Sequence, residues 1–541
     1  MQSENKILNY DVVVIGAGFS GLYILYHFRK LGLNTKVFEK GLGVGGTWYW
    51  NRYPGAGSDI ESLEYSYAFD EALQQEWNWK ERYASQPELE EYLNHVAERF
   101  DLIKDINFGY CVQHARWQES DRKWEITFKD GTCVRCHFCV MATGLLSAPK
   151  QNEFLGMSEF SGRLLHTSSW PHETIDFADR NVAIIGTGST AVQAIPLIAQ
   201  VAKTLTVFQR TPNFSAPRNN GPLSPEYAHR VKSDYRGWRK KQMDSFGGYV
   251  AVDFRAMEPN PNNARDTTPE KRKEEYEFRW RSGGLSFYTS FKDLLFDKEM
   301  NEELAEFFRE KIRAKVNDPS VAELLIPRGY PILTKRLCAD TNYYETYNRP
   351  NVKLVDISKI PIDRLTKAGL LVGGTEYIFD DIIFALGFDA ITGAMVRINI
   401  VGKKNVSLAE VWKDGPKANA GLMTEGFPNL FFVNGPGSCT GFFNPVLNVE
   451  YQGNWFGNLI LRMKKEGKTV VESTKAADED WARQMADIAR PTLFWESSNW
   501  YTGSNIPGKS QVMQLYLGGF SNYRDHTRRI TDQEYRGFCL S

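Results

Sequence analysis

The run Val12-Val13-Val14-Ile15 is apolar at four successive positions, the pattern of a strand covered on both faces. It breaks at Gly16-x-Gly18-x-x-Gly21 and passes into a helical stretch, so strand, tight turn and helix follow in order. The same succession returns at Val182-Ala183-Ile184-Ile185, with Gly186-x-Gly188-x-x-Ala191 as its turn. Each predicts a pyrophosphate cradle: the glycines let the backbone approach, and the helix N-terminus attracts negative charge. The residue that closes the next strand differs between the two. Lys36-Val37-Phe38 runs into Glu39, an acceptor for a ribose diol, whereas Leu205-Thr206-Val207-Phe208-Gln209 runs into Arg210, a cation suited to a 2′-phosphate. The pattern predicts FAD at the first site and NADPH at the second.

Between and beyond these units the pattern changes twice. Thr132–Met141 follows an Asp130-Gly131 turn and reads as a hairpin strand that ends in Ala142-Thr143-Gly144, a turn leading back to the dinucleotide. Residues 216–328 are polar and helix-rich; Thr268-Pro269-Glu270-Lys271-Arg272-Lys273-Glu274-Glu275 has proline in its first turn and mixed charges beyond. Short strands resume from 329, and Asp381-Ile382-Ile383-Phe384 enters Ala385-Leu386-Gly387, an echo of the earlier turn. The expected fold is α/β, with two Rossmann-like dinucleotide-binding domains and a helical insertion. Residues 1–145 and 382–541 would form the FAD-binding domain, 146–215 and 329–381 the NADP-binding domain, and 216–328 an insertion in the latter.

With 541 residues the chain is long enough for two or three cores. A net charge of −1 gives no electrostatic reason to expect nucleic acid or an anionic membrane as partner. No apolar run approaches the ~20 residues of a membrane span. Neither end reads as a targeting signal, so a cytoplasmic protein, taken as a monomer, is expected. Cys133-x-x-Cys136-His137 has the spelling of a haem attachment site, but its strand context favours cysteines packed as small hydrophobes, and no metal site is expected.

Two further segments narrow the chemistry. Gly45-Gly46-Thr47-Trp48-Tyr49-Trp50-Asn51-Arg52-Tyr53-Pro54-Gly55-Ala56-Gly57-Ser58-Asp59 follows the first cradle, and Phe160-Ser161-Gly162-Arg163-Leu164-Leu165-His166-Thr167-Ser168-Ser169-Trp170-Pro171 precedes the second. At these residues the chain resembles the Baeyer–Villiger monooxygenases, class B flavoproteins similar to cyclohexanone and phenylacetone monooxygenases, and both family fingerprints match without a gap. The resemblance extends over almost the whole chain. It implies an NADPH- and O2-dependent enzyme that inserts one oxygen beside a ketone carbonyl, through a flavin C4a-peroxide and a tetrahedral adduct, to give an ester or lactone.

The resemblance also implies roles for individual residues. Arg336, in Thr334-Lys335-Arg336-Leu337, would stabilise the anionic peroxide and adduct as a permanently charged guanidinium, with Asp59 setting its position. FAD contacts fall on Gly16, Gly18, Phe19, Ser20, Gly21, Glu39, Lys40, Gly46, Thr47, Trp48, Asp59 and Tyr65. NADP contacts fall on Thr187, Gly188, Ser189, Thr190, Gln193, Arg210, Thr211, Lys335, Arg336 and Trp500. Thr440, Gly441 and Phe442 correspond to a variable loop beside the substrate, where Phe442 and Phe443 either narrow the pocket or turn into the core. Phe160, Gly162, His166, Trp170 and Pro171 mark the second fingerprint, and His166 reads as a residue linking the domains rather than a general base.

Three other readings are consistent with two dinucleotide sites. A flavin monooxygenase acting on sulfur or nitrogen is the nearest alternative. A disulfide reductase would need a redox pair facing the flavin, for which only Cys136-x-x-Cys139 is available. A nucleotide-sensing interaction protein is allowed by the fold alone.

Overall fold

The computed structural model describes residues 7–150, 154–251, 253–438 and 441–541. Leu8–Ile15 is the middle of a mixed sheet, parallel to Thr35–Glu39 on one side and to Cys133–Met141 on the other. Ile106–Phe108 extends the sheet beyond Thr35–Glu39. On the far side Lys123–Phe128 and Val112–Gln118 add an antiparallel ribbon. The chain returns to this sheet much later, when Leu430–Phe432 pairs with Cys133–Met141 and Asn399–Val401 pairs with Val112–Gln118. Helices Phe19–Lys30 and Pro445–Lys465 pack together over one face, where Val12, Val14, Leu22, Leu25, Phe456 and Leu459 are buried in one cluster.

The second sheet is wholly parallel, in the order Val352–Asp356, Thr204–Gln209, Asn181–Ile185, Asp381–Phe384, Arg163–His166. Helix Ser189–Val201 covers one face through Val192, Ile195 and Ile198. A three-stranded meander, Ile362–Leu365, Gly369–Val372 and Thr375–Ile378, belongs to the cluster on the other face. Both glycine turns thus lie at the carboxyl ends of parallel strands, the place where α/β sheets bind nucleotides.

Two sequence boundaries need correction. Asp381–Phe384 pairs with Asn181–Ile185 and with Arg163–His166, so the return to the first sheet falls after this strand and not at residue 382. Its burial on both faces made it indistinguishable from a strand of either sheet. The segment 216–328 is helical, but it does not belong to the second sheet alone. Tyr227, Val231, Tyr235 and Trp238, on helices Pro225–Ser233 and Tyr235–Asp244, join the core of the first sheet. Pro269–Ser282 and most of Lys298–Lys315 instead build a separate core with Tyr330, Ile332, Leu333 and Leu337.

Cys133–Met141 is a strand, and Cys136 and Cys139 are buried within it, so neither thiol is accessible to a disulfide substrate. Among the described residues no cluster of His, Cys, Asp and Glu is arranged to hold a metal, and no helix is long and apolar enough to cross a membrane.

Candidate active site

The first cradle is held by contacts that admit no side chain. Gly16 has φ +108°, and a Cβ there would lie 2.6 Å from the carbonyl oxygen of Ala142; a Cβ on Gly21 would overlap the Gly16 oxygen at 1.8 Å. Helix Phe19–Lys30 starts at Gly18 with no side-chain cap, which leaves its first N–H groups free for a diphosphate. Glu39 is buried, and its carboxylate accepts from the backbone N–H groups of Ala17 and Gly41, each at 2.8 Å. Gly46 presses against the turn, 2.9 Å separating its would-be Cβ from the Gly18 Cα. Thr47 and Trp48 therefore stand beside the cradle. Trp48 packs on Tyr65, whose ring also meets Phe19, and among the described residues the buried Trp48 Nε1 makes no aligned hydrogen bond, though the Tyr65 hydroxyl is near. Lys40 lies over the Trp50 ring.

The second cradle repeats the design with one difference. Gly186 has φ +116° and a would-be Cβ 2.4 Å from the Ala385 oxygen, but Gly188 faces open space. Helix Ser189–Val201 again lacks a side-chain cap. Thr187 Oγ1 donates to the Thr211 carbonyl at 2.8 Å, fixing the strand end that carries Arg210. Arg210 is exposed, Lys335 is half-buried over the Tyr330 ring, and Lys150 joins them. Burial, then Arg210 and Lys150, hold the Lys335 ammonium below its usual pKa; burial and Arg210 do the same to Lys150. Three cations crowd one spot, and among the described residues none makes an ion pair. A 2′-phosphate would relieve that repulsion. Lys150 was absent from the sequence reading, because nothing local marks a lysine just past the Ala142-Thr143-Gly144 turn.

The two fingerprints meet each other. Tyr53 Oη donates to Gln193 Oε1 at 2.8 Å, and Gln193 Nε2 donates to the Gly57 carbonyl at 3.1 Å. Gly55 (φ +83°) lets the backbone pass Gln193, whose carbonyl oxygen is 2.4 Å from a would-be Cβ. From the other side Trp170 N donates to the Trp50 carbonyl at 3.1 Å, and His172 packs on Tyr49 at 4.4 Å. His166 stacks on Phe384 at 4.8 Å, and burial lowers its pKa. Among the described residues no acid is bonded to it, in keeping with a joint between sheets. Gly162 is pinned between the Asp380 carbonyl and the Phe160 ring, and Pro171 follows directly on Trp170.

Arg336 reaches this junction from a tight turn. Leu333 has φ +68°, and Thr334 Oγ1 ties back to the Pro331 carbonyl at 2.6 Å. Arg336 Nη2 donates to Asp59 Oδ2 at 3.1 Å, and Nη1 donates to the Gly441 carbonyl. Burial works against its charge, but Asp59, with Tyr501 and Tyr288 alongside, outweighs that and holds the guanidinium above its usual pKa. The other Asp59 oxygen, Oδ1, is buried and has no hydrogen-bond partner among the described residues.

Gly441 (φ +78°) places its carbonyl toward Arg336, and a Cβ added there would press on Leu515 and Trp500. Phe442 contacts Tyr288, Phe494 and Tyr501 at ring separations of 5.2, 5.6 and 4.4 Å, so it belongs to the surroundings of Arg336. Phe443 turns into the core against Phe246. Thr440 lies outside the described residues. Trp500 is half-buried beside Tyr501 at 4.2 Å. Tyr288 and Tyr501 were not singled out from sequence, since aromatic residues are so often core.

The uncapped helix starts, the open face of Gly188, the unpaired cations, the Trp48 Nε1 without an aligned bond and the unbonded Asp59 Oδ1 all suit two bound dinucleotides, one flavin and one phosphorylated nicotinamide cofactor. Residues 13–273 match the pyridine nucleotide-disulphide oxidoreductase family. The acetone monooxygenase (methyl acetate-forming) of Gordonia sp. strain TY-5 is 38% identical over 98% of this chain and 99% of its own. A Baeyer–Villiger monooxygenase of Pseudooceanicola batsensis is 38% identical over 99% and 97%. A phenazine N-monooxygenase of Lysobacter antibioticus is 37% identical over 99% and 98%. A crystal structure of OTEMO in complex with FAD and NADP superposes with a TM-score of 0.94 at 38% identity, covering 99% of this chain and 100% of that one. With both cradles, both fingerprints and full-length similarity in place, the chain belongs to the Baeyer–Villiger monooxygenases, flavoenzymes that use FAD, NADPH and O2 to insert one oxygen next to a ketone carbonyl.

Proposed function

We propose that Arg336, clamped between Asp59 and the Gly441 carbonyl, is the group that stabilises the developing anion as a small ketone becomes an ester or lactone. Bound FAD, reduced by NADPH, supplies the activated oxygen. The chain's own residues do the rest. Arg336 keeps its charge because Asp59 offsets the cost of burial, and in a site poor in water a fixed cation acts strongly on negative charge. Asp59 positions the guanidinium, and two of the five N–H groups are committed to Asp59 and Gly441, which leaves others for the reacting oxygen. Glu39 orients the FAD ribose, while Arg210, Lys335 and Lys150 hold the NADPH 2′-phosphate. Trp500 and Gly441 lie against each other, so the nicotinamide side and the substrate side share one wall. Phe442, with Tyr288 and Phe494, makes that wall aromatic and favours compact ketones that pack against flat surfaces.

The two sheets serve as FAD and NADP domains, joined by the contacts of Tyr53, Gln193 and Trp170. The six described cysteines are all free thiols, which accords with a reducing, cytoplasmic setting, and the chain is read as a monomer.

The clamp of Arg336 is the observation that carries this reading. The test is Arg336→Ala, assayed for ester by gas chromatography and for NADPH consumption. Losing one fixed donor from such a site costs about 10²–10³-fold in the oxygenation step. Ester should therefore nearly vanish while NADPH oxidation persists as hydrogen peroxide release. Ester formation at the wild-type rate in the variant would overturn the assignment. Persistent oxidation of a sulfide or an aromatic nitrogen would turn attention to the N-monooxygenase among the relatives.

A further inference from the structure

Tyr501 is fully buried, yet among the described residues its hydroxyl makes no aligned hydrogen bond. It lies beside Tyr288 and Arg336. Its ring is held on three sides, by Trp500 at 4.2 Å, Phe442 at 4.4 Å and Phe494 at 5.6 Å. Its backbone carbonyl accepts from Gln514 N at 2.9 Å. The hydroxyl is thus fixed within reach of Tyr288 and Arg336 but, among the described residues, aligned with none, an arrangement that leaves it able to bond a ligand.

Its neighbours are already committed. Tyr288 Oη accepts from Leu337 N at 3.1 Å and reaches the Lys335 carbonyl at 3.4 Å, so it braces the turn that carries Arg336. Arg336 gives one N–H to Asp59 and one to Gly441. The donors left over at this spot are the remaining guanidinium N–H groups and the Tyr501 O–H. Burial raises the phenol well above its usual pKa, so it remains protonated and able to donate throughout the working pH range.

We propose that Tyr501 donates its hydroxyl hydrogen bond to the substrate oxygen that Arg336 also contacts, so that the ketone carbonyl sits in a pocket with two donors, one charged and one neutral. The assignment rests on the reading of Arg336 above. It also explains why an unbonded hydroxyl persists where phenylalanine would fill the same aromatic box. A charged donor attracts any anion, whereas a second donor at a fixed angle selects a carbonyl oxygen presented in one orientation.

The test uses the FAD- and NADP⁺-loaded oxidised enzyme, which binds a ketone without converting it. The probe is a ketone that wild type oxidises, ¹³C-labelled at the carbonyl, and its stretching band is read by infrared difference spectroscopy. Tyr501→Phe keeps the ring contacts and removes only the donor. Its carbonyl band should move toward the free-ketone position, by less than in Arg336→Ala. Ester formation should fall by about 100-fold with the rate of flavin reduction by NADPH unchanged. A band in Tyr501→Phe at the wild-type position would overturn the proposal, as would an ester loss matched by slowed reduction or lost cofactor, since both mark a structural role. A wild-type band in Arg336→Ala alone would remove Arg336 from the substrate oxygen and leave Tyr501 as the donor.

Discussion

Lys150→Ala isolates a contact that only the folded chain creates. The side chain is half-buried and faces Arg210 and Lys335, while its backbone N–H bonds to the Gly387 carbonyl at 3.0 Å and is untouched by the substitution. A hydrogen bond to a charged group contributes about 1.5–3 kcal/mol. Two cations remain in the variant and Arg210 opens the site to solvent, so the lower part of that range applies, about 1.5–2 kcal/mol. That corresponds to ~10- to 30-fold weaker NADPH binding. NADH lacks the 2′-phosphate and should bind the variant as it binds wild type. The measurement is stopped-flow flavin reduction against the concentration of each nucleotide. Both lysines have lowered pKa values, so they lose their charge at a lower pH than an ordinary lysine does. NADPH affinity should therefore weaken with rising pH before the ordinary lysine range is reached, and NADH affinity should stay flat. Equal losses for the two nucleotides, or no loss for either, would refute the argument.

Asp59→Asn keeps the shape of the Arg336 clamp but removes the charge that offsets burial of the guanidinium. Ester formation should fall ~10-fold or more while NADPH still reduces the flavin, and an unchanged ratio of ester to hydrogen peroxide would count against the pairing. Buried carboxyl groups give a stability prediction. Burial raises Glu64 and Glu450 to about 7 and Asp478 to about 6. At low pH these acids are neutral in folded and unfolded chains alike. As pH climbs from the ordinary carboxylate value to about 7, the unfolded chain releases its protons first and the folded state loses stability. The melting temperature should fall from about pH 4 to about pH 7 and then level off, and Glu450→Gln should flatten part of that fall; a variant with the wild-type slope would contradict it.

Much of this was legible in the chain itself. Val12–Ile15 with Gly16, Gly18 and Gly21, and Val182–Ile185 with Gly186 and Gly188, specify strand, turn and helix through contacts between neighbours in sequence. Even the would-be clash of a Gly21 side chain with the Gly16 oxygen spans only one turn. Glu39 and Arg210 are readable for the same reason, because each closes the strand next to its own cradle. The fingerprint around Trp48 and Asp59 pointed to the chemistry by resemblance, ahead of any physical account of its form. The tertiary structure supplies that account: Tyr53, Gly55 and Gly57 engage Gln193 of the second domain, while Trp50 receives Trp170.

Other features depend on segments far apart in the chain, whose meeting no local pattern encodes. Asp381–Phe384, buried on both faces, joined whichever sheet had a vacant neighbouring strand, and pairing with Asn181–Ile185 decided it. The helices of 225–244 left the second domain because their apolar faces fit the core of the first. Lys150 became part of a cation cluster, and Tyr501 became an unbonded donor, only when folding brought Arg210, Lys335 and Arg336 beside them. Sequence by itself determined the two cradles, the charged residues that close the strands beside them, and the family, because these rest on short-range geometry and contiguous motifs. The tertiary structure decided which sheet each strand joined and which polar groups converge on Arg336, because burial and charge add up over whatever the fold brings together.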